Sequence, residues 1–245
     1  TEIYTLSLHD ALPICRRCVP FPEKHDVIDL ERARVLVTGG AGFIGSALVW
    51  GLNERGSSRI VIADRLGTDA KWRNLRALRF EDYVEADDLL PRLDAGTLGD
   101  FDLVLHMGAC SATTEQDASY LVRNNYEFSK DLCLWADRHG ARVVYASSAA
   151  TYGDGTAGMD DDAARIETLR PLNMYGYSKL IHDRWARDNG LLQRMAGLRF
   201  FNVFGPNESH KGDMRSVVDK ACAEIRANGT ARLPDSRHRL SRGTA

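Results

Sequence analysis

The sequence lacks any apolar run long enough to cross a bilayer, any framework-like cysteine spacing, any repeat or low-complexity tract and any marked net charge. Each absence excludes something. Without a long apolar run, no membrane-spanning helix is expected, and no secretory leader either. The five cysteines are Cys15, Cys18, Cys110, Cys133 and Cys222. Their spacing is not that of a small disulfide-stapled secreted domain, which fits the reducing cytoplasm. Cys15 and Cys18 form C-x-x-C, but no second Cys or His pair stands nearby to complete a zinc site, so no metal is expected. Thirty-two Lys and Arg against 34 Asp and Glu leave a net charge of −2. No basic field points to nucleic acid or to an acidic membrane surface. What is present is 44% hydrophobic residues over 245 positions, enough for one large domain, or one and a half, with a sizeable core.

The most informative stretch is Thr-Gly-Gly-Ala-Gly-Phe-Ile-Gly at 38–45, directly after the apolar run Val35-Leu36-Val37. A helical pattern follows it (Ile44, Leu48, Val49, Leu52). Strand, glycine turn and helix in that order form a dinucleotide-binding element. Gly40, Gly42 and Gly45 satisfy G-x-G-x-x-G. Glycines there allow a tight turn, close approach of backbone N–H groups to a pyrophosphate, and close packing of helix on strand. The helix N-terminus adds partial positive charge. Asp64 ends the second apolar run, Ile60-Val61-Ile62, at the spacing of a ribose-binding acid.

Strand and helix patterns then alternate. Strands are expected at 34–38, 59–63, 101–106, 142–147 and 195–200, with a short extra one at Tyr83-Val84. Helices are expected at 44–55, 115–138, 175–189 and 213–228, and a long loop at 153–171. This alternation predicts an α/β fold, a doubly wound parallel sheet with helices on both faces. Trp50, Trp72, Trp135 and Trp185 fall in helical patterns and are expected to pack, as is Cys133.

Tyr175 and Lys179 stand four residues apart at the start of a helical pattern, hence on one face. An ammonium near a phenol favours the phenolate and would lower its pKa. A tyrosine so tuned can move a proton while a hydride moves to a nicotinamide. Ser147 and Ser148 end the preceding strand, at the edge where such sheets bind ligands.

These pieces resemble the extended short-chain dehydrogenase/reductase family, specifically its nucleotide-sugar epimerases and dehydratases. The matching segments are 38–45, Ser-Ser-Ala-Ala-Thr-Tyr-Gly at 147–153, Tyr-Gly-Tyr-Ser-Lys at 175–179 and Phe-Asn-Val-Phe-Gly-Pro at 201–206. The resemblance implies a Rossmann domain at 34–205 and a smaller substrate domain starting at 206 and incomplete by 245. It implies that Ser148 contacts the reacting oxygen, that Tyr175 is the acid/base and that Lys179 binds the nicotinamide ribose. A narrower set is His-Met-Gly-Ala-Cys-Ser-Ala-Thr-Thr-Glu at 106–115, Asn-Asn-Tyr at 124–126, 145–153 and Ser-His-Lys-Gly-Asp-Met at 209–214. That set resembles the branch acting on ADP-activated heptoses, donors for the lipopolysaccharide inner core. It implies a second acid/base at Lys211 and substrate contacts from Ser148, Asn202, Lys211 and Asp213. The implied cofactor contacts are Gly39, Gly42, Phe43, Ile44, Gly45, Asp64, Arg65, Lys71, Met107, Gly108, Ala109, Cys110, Ser111, Asn124, Tyr175, Lys179 and Val203. It also implies a homo-oligomer at full length.

The cofactor's identity stays open. Asp64 alone suggests NAD, whereas Arg65 and Lys71 could pair with the 2′-phosphate of NADP. Lys71 matches the family's phosphate-contacting lysine, Arg65 replaces its usual asparagine, and Ala86 replaces a further lysine. NADP is the expected cofactor, with NAD possible. A dehydratase would show Asp-Glu near the catalytic serine, and none follows Ser148. Another nucleotide-sugar epimerase or dehydratase, or an inactive cofactor-binding fragment, remains the alternative. The stretch 7–14 reads like translated sequencing-adapter DNA, so 1–33 is expected to be an extension outside the fold. After Leu233-Pro234 the tail 236–245 departs from the family pattern.

Overall fold

A computed structural model describes residues 27–231. The C-x-x-C pair, the adapter-like stretch and the tail after Leu233-Pro234 lie outside the described residues. Six strands form one parallel sheet in the order β3-β2-β1-β4-β5-β6. They are β1 (Val35–Thr38), β2 (Ile60–Asp64), β3 (Asp82–Glu85), β4 (Leu103–His106), β5 (Arg142–Ser148) and β6 (Met195–Phe200). This is the doubly wound order, whose direction reverses between β1 and β4.

The apolar strands explain the layering. Val35, Leu36, Val37, Ile60, Val61 and Ile62 are all fully buried, because helices cover both faces of the sheet. Alternate residues face opposite sides. Leu36, Val61, Val104 and Val143 join one core with α2 (Ala86–Asp94), α4 (Phe128–Arg138) and α5 (Met174–Asp188). Val35, Val37, Ile60 and Ile62 join the other with α1 (Phe43–Glu54), through Val49 and Leu52. A smaller cluster of Tyr152, Ile166, Leu169 and Leu180 lies beneath the segment expected to be a plain loop. That segment contains a 3₁₀ turn, Ala163–Thr168, capped by Asp162.

Helix α2 escapes the sequence pattern. It is nine residues long, with two acids in its first turn and Pro91 inside, so its apolar signal is confined to buried Leu89 and Leu93 and partly buried Leu90, too short a run to show a period. The helix expected at 115–138 is a composite. It opens as α3 (Ala118–Leu121) behind the Asp117 cap, widens into a π turn at Val122–Glu127 and continues as α4. The helix expected from 213 starts later, as α6 (Val217–Asn228), because Ser216 caps it by accepting the Asp219 N–H. Trp135 packs as expected at 2% exposure, but Trp50 and Trp72 are 59% and 47% exposed, on helix and turn surfaces that face solvent.

The boundary expected at Arg34 moves earlier. Ile28 and Leu30 pack on the α1-side core and Ala33 is buried, in a turn closed by the Ala33 N–H to Asp29 O bond at 2.8 Å. Replacing Ile28 and Leu30 together by Ala should therefore lower unfolding stability by about 1–2 kcal/mol, as expected for two half-buried aliphatic chains. An unchanged urea midpoint would show that the fold begins at Arg34.

Candidate active site

The carboxyl ends of β1, β2, β4 and β5 converge on one edge of the sheet. After β1, Gly39 takes φ +67° and its carbonyl accepts the Gly42 N–H at 3.0 Å. A side chain on Gly39 would lie 2.7 Å from the Gly108 nitrogen, so the loops after β1 and β4 meet backbone to backbone. A side chain on Gly45 would collide with the Gly39 carbonyl. Helix α1 starts with no side-chain cap at Gly42, so its first turn presents backbone donors.

Asp64 does more than stand at ribose spacing. Its Oδ2 accepts the Ala41 and Gly42 N–H groups at 2.9 and 3.1 Å. Its Oδ1 accepts the Arg65 N–H at 2.7 Å and Lys71 Nζ at 2.8 Å. One carboxylate thus ties the glycine turn to the end of β2 and to the turn carrying Lys71. Arg65 reaches Asp87 of α2 and, through Nη1, Asn124 Oδ1 at 2.9 Å. A cavity of about 210 Å³ opens between these groups, lined by Gly39, Arg65, Lys71, Ala86, Cys110 and Asn124 among others. A larger hollow of about 650 Å³ lies at the opposite end of the strands, by Ile28, Arg59 and Phe101, and contains none of the candidate residues.

The segment Met107–Ser111 is held from behind by buried polar groups. Thr38 Oγ1 accepts the Gly108 N–H at 3.0 Å and lies 2.6 Å from His106 Nδ1. Burial drives the His106 pKa far down, so its ring is neutral. Asn125, which sequence reasoning missed, is fully buried in the π turn. It accepts the Cys110 N–H at 2.8 Å and donates to Cys110 O at 3.0 Å and Ser178 Oγ at 3.1 Å. It links the loop after β4 to α5. The only signal in the sequence was its place beside Asn124.

Helix α5 begins behind the Asn173 cap, which accepts the Gly176 N–H at 2.8 Å. A side chain on Gly176 would lie 2.6 Å from Ala150 O, so glycine there lets α5 approach the turn after β5. That approach brings the Tyr175 phenol near the Ser148 hydroxyl, whose influence favours the phenolate, while Ser148 Oγ itself accepts the Ala150 N–H at 3.1 Å. The expected effect of Lys179 on Tyr175 is not found. Burial raises the Tyr175 pKa, Ser148 opposes this, and Lys179 instead donates to Ala146 O of β5 at 2.9 Å. Spacing put both residues on one side of the helix, but the longer lysine turns under the strand end. Burial lowers Lys179 from 10.5 to about 8. One turn on, buried Asp183 accepts from Ser147 Oγ at 2.8 Å, Arg199 Nε at 3.3 Å and Tyr145 OH at 3.2 Å, bracing the end of β5.

Lys211 lies in the turn Ser209–Met214 with its ammonium 5.3 Å from the centre of the Phe43 ring. It makes no hydrogen bond to Ser148 or Tyr175. Buried Glu208 organises its loop, accepting the Gly205 N–H at 2.8 Å and the Ser216 N–H at 2.6 Å. Asn207 ties the loop to Ser46 of α1 at 3.1 Å. Ser111, Asn202, Val203 and Asp213 are exposed, and Ile44 is half-buried in α1. Among the described residues no hydrogen bond joins Asn202, Val203 or Asp213 to Ser148 or Tyr175, although Phe200, two residues before Asn202, pairs with Ser148 in the sheet. No group of three or more His, Cys, Asp or Glu among the described residues could hold a metal ion.

A doubly wound sheet, an uncapped helix start behind a glycine cradle and a Ser-Tyr-Lys group at the same edge define a dinucleotide-binding protein of the short-chain reductase type. Residues 35–240 match the NAD dependent epimerase/dehydratase family, and the chain belongs to it. It is 55% identical over 204 residues to ADP-L-glycero-D-manno-heptose-6-epimerase of Nitratidesulfovibrio vulgaris strain DP4, covering 83% of this chain and 63% of the relative. It is 44% identical over 203 residues to the enzyme of that name from Fusobacterium nucleatum, covering 81% and 61%. The crystal structure of the Helicobacter pylori enzyme of that name superposes with a TM-score of 0.71 at 30% identity, over 82% of this chain and 65% of that one. A UDP-glucuronic acid 4-epimerase from Bacillus cereus, in complex with NAD, gives 0.63 at 25% identity, over 79% and 63%. The chain therefore spans about three fifths of the length of the curated relatives it matches.

The lysine offers a test of this geometry. Between pH 8 and 10.5 the unfolded chain binds more protons at Lys179 than the folded one, so this group's contribution to stability rises with pH there. Urea unfolding at pH 7.5 and 9.5 should show wild type gaining on Lys179→Met as pH rises. A gap that stays constant would mean that the ammonium is solvated.

Proposed function

We propose that the chain carries the cofactor half of an epimerase that inverts C6 of the heptose in ADP-glycero-manno-heptose. The observation that carries this reading is the 55% identity over 204 residues, 83% of this chain, to an enzyme named ADP-L-glycero-D-manno-heptose-6-epimerase. The cofactor proposed is NADP, with NAD also accepted. The site is proposed to act in the cytoplasm, and the full-length protein to be a homo-oligomer.

The residues present fit a dinucleotide. Side chains at Gly39 and Gly45 would collide with neighbouring backbone, so the turn stays tight and bare, and the helix start behind it presents donors. Arg65 and Lys71 stand at the cavity where a 2′-phosphate would be held. The bound cofactor supplies hydride acceptance and return, and the positive charge of its oxidised ring favours a phenolate nearby. Tyr175 takes the hydroxyl proton of the reacting carbon as the hydride leaves. Ser148 hydrogen-bonds the reacting oxygen, and Lys179 holds the nicotinamide ribose. Inverting a carbinol centre requires hydride return to the other face. Either the ketone turns over in the site, or Lys211 serves as a second proton carrier in a second pose. The resemblance of Ser-His-Lys-Gly-Asp-Met at 209–214 to the family's segment favours the second route.

Two experiments test this reading. Replacing Arg65 and Lys71 together by Ala should lower the NADP/NAD affinity ratio, whereas an unchanged ratio would refute their phosphate role. In a form extended to the length of its relatives, Tyr175→Phe and Lys211→Ala should each cut C6 inversion by roughly 10²–10⁴-fold, the usual weight of a positioned acid or base. Wild-type turnover in Lys211→Ala would leave Tyr175 as the sole acid/base, with a rotating ketone.

A further inference from the structure

Both cations at the cavity are already paired with carboxylates. Lys71 Nζ donates to Asp64 at 2.8 Å. Arg65 donates through Nη2 to Asp87 Oδ1 at 2.5 Å, through Nε to Asp87 Oδ2 at 3.4 Å and through Nη1 to Asn124 Oδ1 at 2.9 Å. All three guanidinium nitrogens are therefore engaged, in a strap running from the end of β2 to the first turn of α2 and to the π turn. Arg65, Asn124 and Ala86, the neighbour of Asp87, all line the cavity.

The strap is a surface device. The side chains of Arg65 and Asp87 are 50% and 75% exposed, and no core contact depends on the pair. Exposed pairs of this kind contribute little to folding. A bidentate guanidinium is, however, the preferred partner of a phosphate dianion. A phosphate on the adenosine ribose must take Arg65 from Asp87 and also sit near a like charge. A ribose hydroxyl contests nothing.

We propose that Asp87 is a specificity-determining residue that competes with the 2′-phosphate for Arg65 and so holds the chain close to equal use of NAD and NADP. This rests on the dinucleotide reading above and names the residue that sets its cofactor preference.

The test is calorimetric titration of the chain with NAD and with NADP at low salt. Asp87→Asn and Asp87→Ala should each tighten NADP roughly fivefold, the scale of one exposed ion pair. NAD should stay within about twofold. In an Arg65→Ala background, Asp87→Asn should give no gain. Asp88→Asn removes the same charge from the same helical turn and should change NADP affinity by less than twofold. The proposal is overturned by unchanged or weaker NADP binding in the Asp87 variants, by a gain that survives Arg65→Ala, or by an equal gain in Asp88→Asn. If wild type binds neither dinucleotide, the dinucleotide reading falls and takes this proposal with it. If wild type binds both and the cycle fails, only the proposal falls.

Discussion

The Asp64 carboxylate is the contact on which the rest of this edge depends. It is 9% exposed and accepts from two amides of the glycine turn, one amide at the end of β2 and the ammonium of Lys71. Acceptors of this kind, with several amide donors and a cation, are charge-assisted and strong. Without them the glycine turn would keep its conformational freedom, since glycines impose little restraint of their own. Asp64 turns a permissive loop into a fixed cradle. It also sets the distance between the start of α1 and the cations of the cavity.

The second requirement is close approach of backbone to backbone. Gly39 against Gly108 joins the loops after β1 and β4, and Gly176 against Ala150 joins α5 to the turn after β5. Each contact leaves no room for a side chain. Behind them, buried Asn125 and Asp183 tie the loops to α5 and brace the strand end. Such satisfied polar networks hold geometry more tightly than apolar packing alone. Ser148 and Tyr175 meet because these constraints act together.

Much of this was legible in the sequence, for identifiable reasons. The strands were visible because a doubly covered parallel sheet demands apolar runs, and Val35–Val37 and Ile60–Ile62 are such runs. The glycine cradle was visible because its spacing is dictated by sterics. Helix α2 was not, since three leucines within five positions, among acids and a proline, give too little period. The π turn was not, since widening by one residue leaves no mark on composition. The Tyr175–Lys179 pairing misled because spacing fixes where a side chain starts and not where it ends. Asp87 left no mark and Asn125 showed only as a member of Asn-Asn-Tyr at 124–126, because their partners, Arg65 and Cys110, are 22 and 15 residues away.

The central claim is that this sheet edge is one dinucleotide site running from the glycine cradle to Tyr175. A crystal structure of the chain grown with NADP or NAD tests it most directly. The account places the pyrophosphate on the backbone donors of residues 39–45, the adenosine beside Arg65 and Lys71, and the nicotinamide against Tyr175 and Lys179. A dinucleotide bound elsewhere, or one whose nicotinamide lies away from Tyr175, would contradict it.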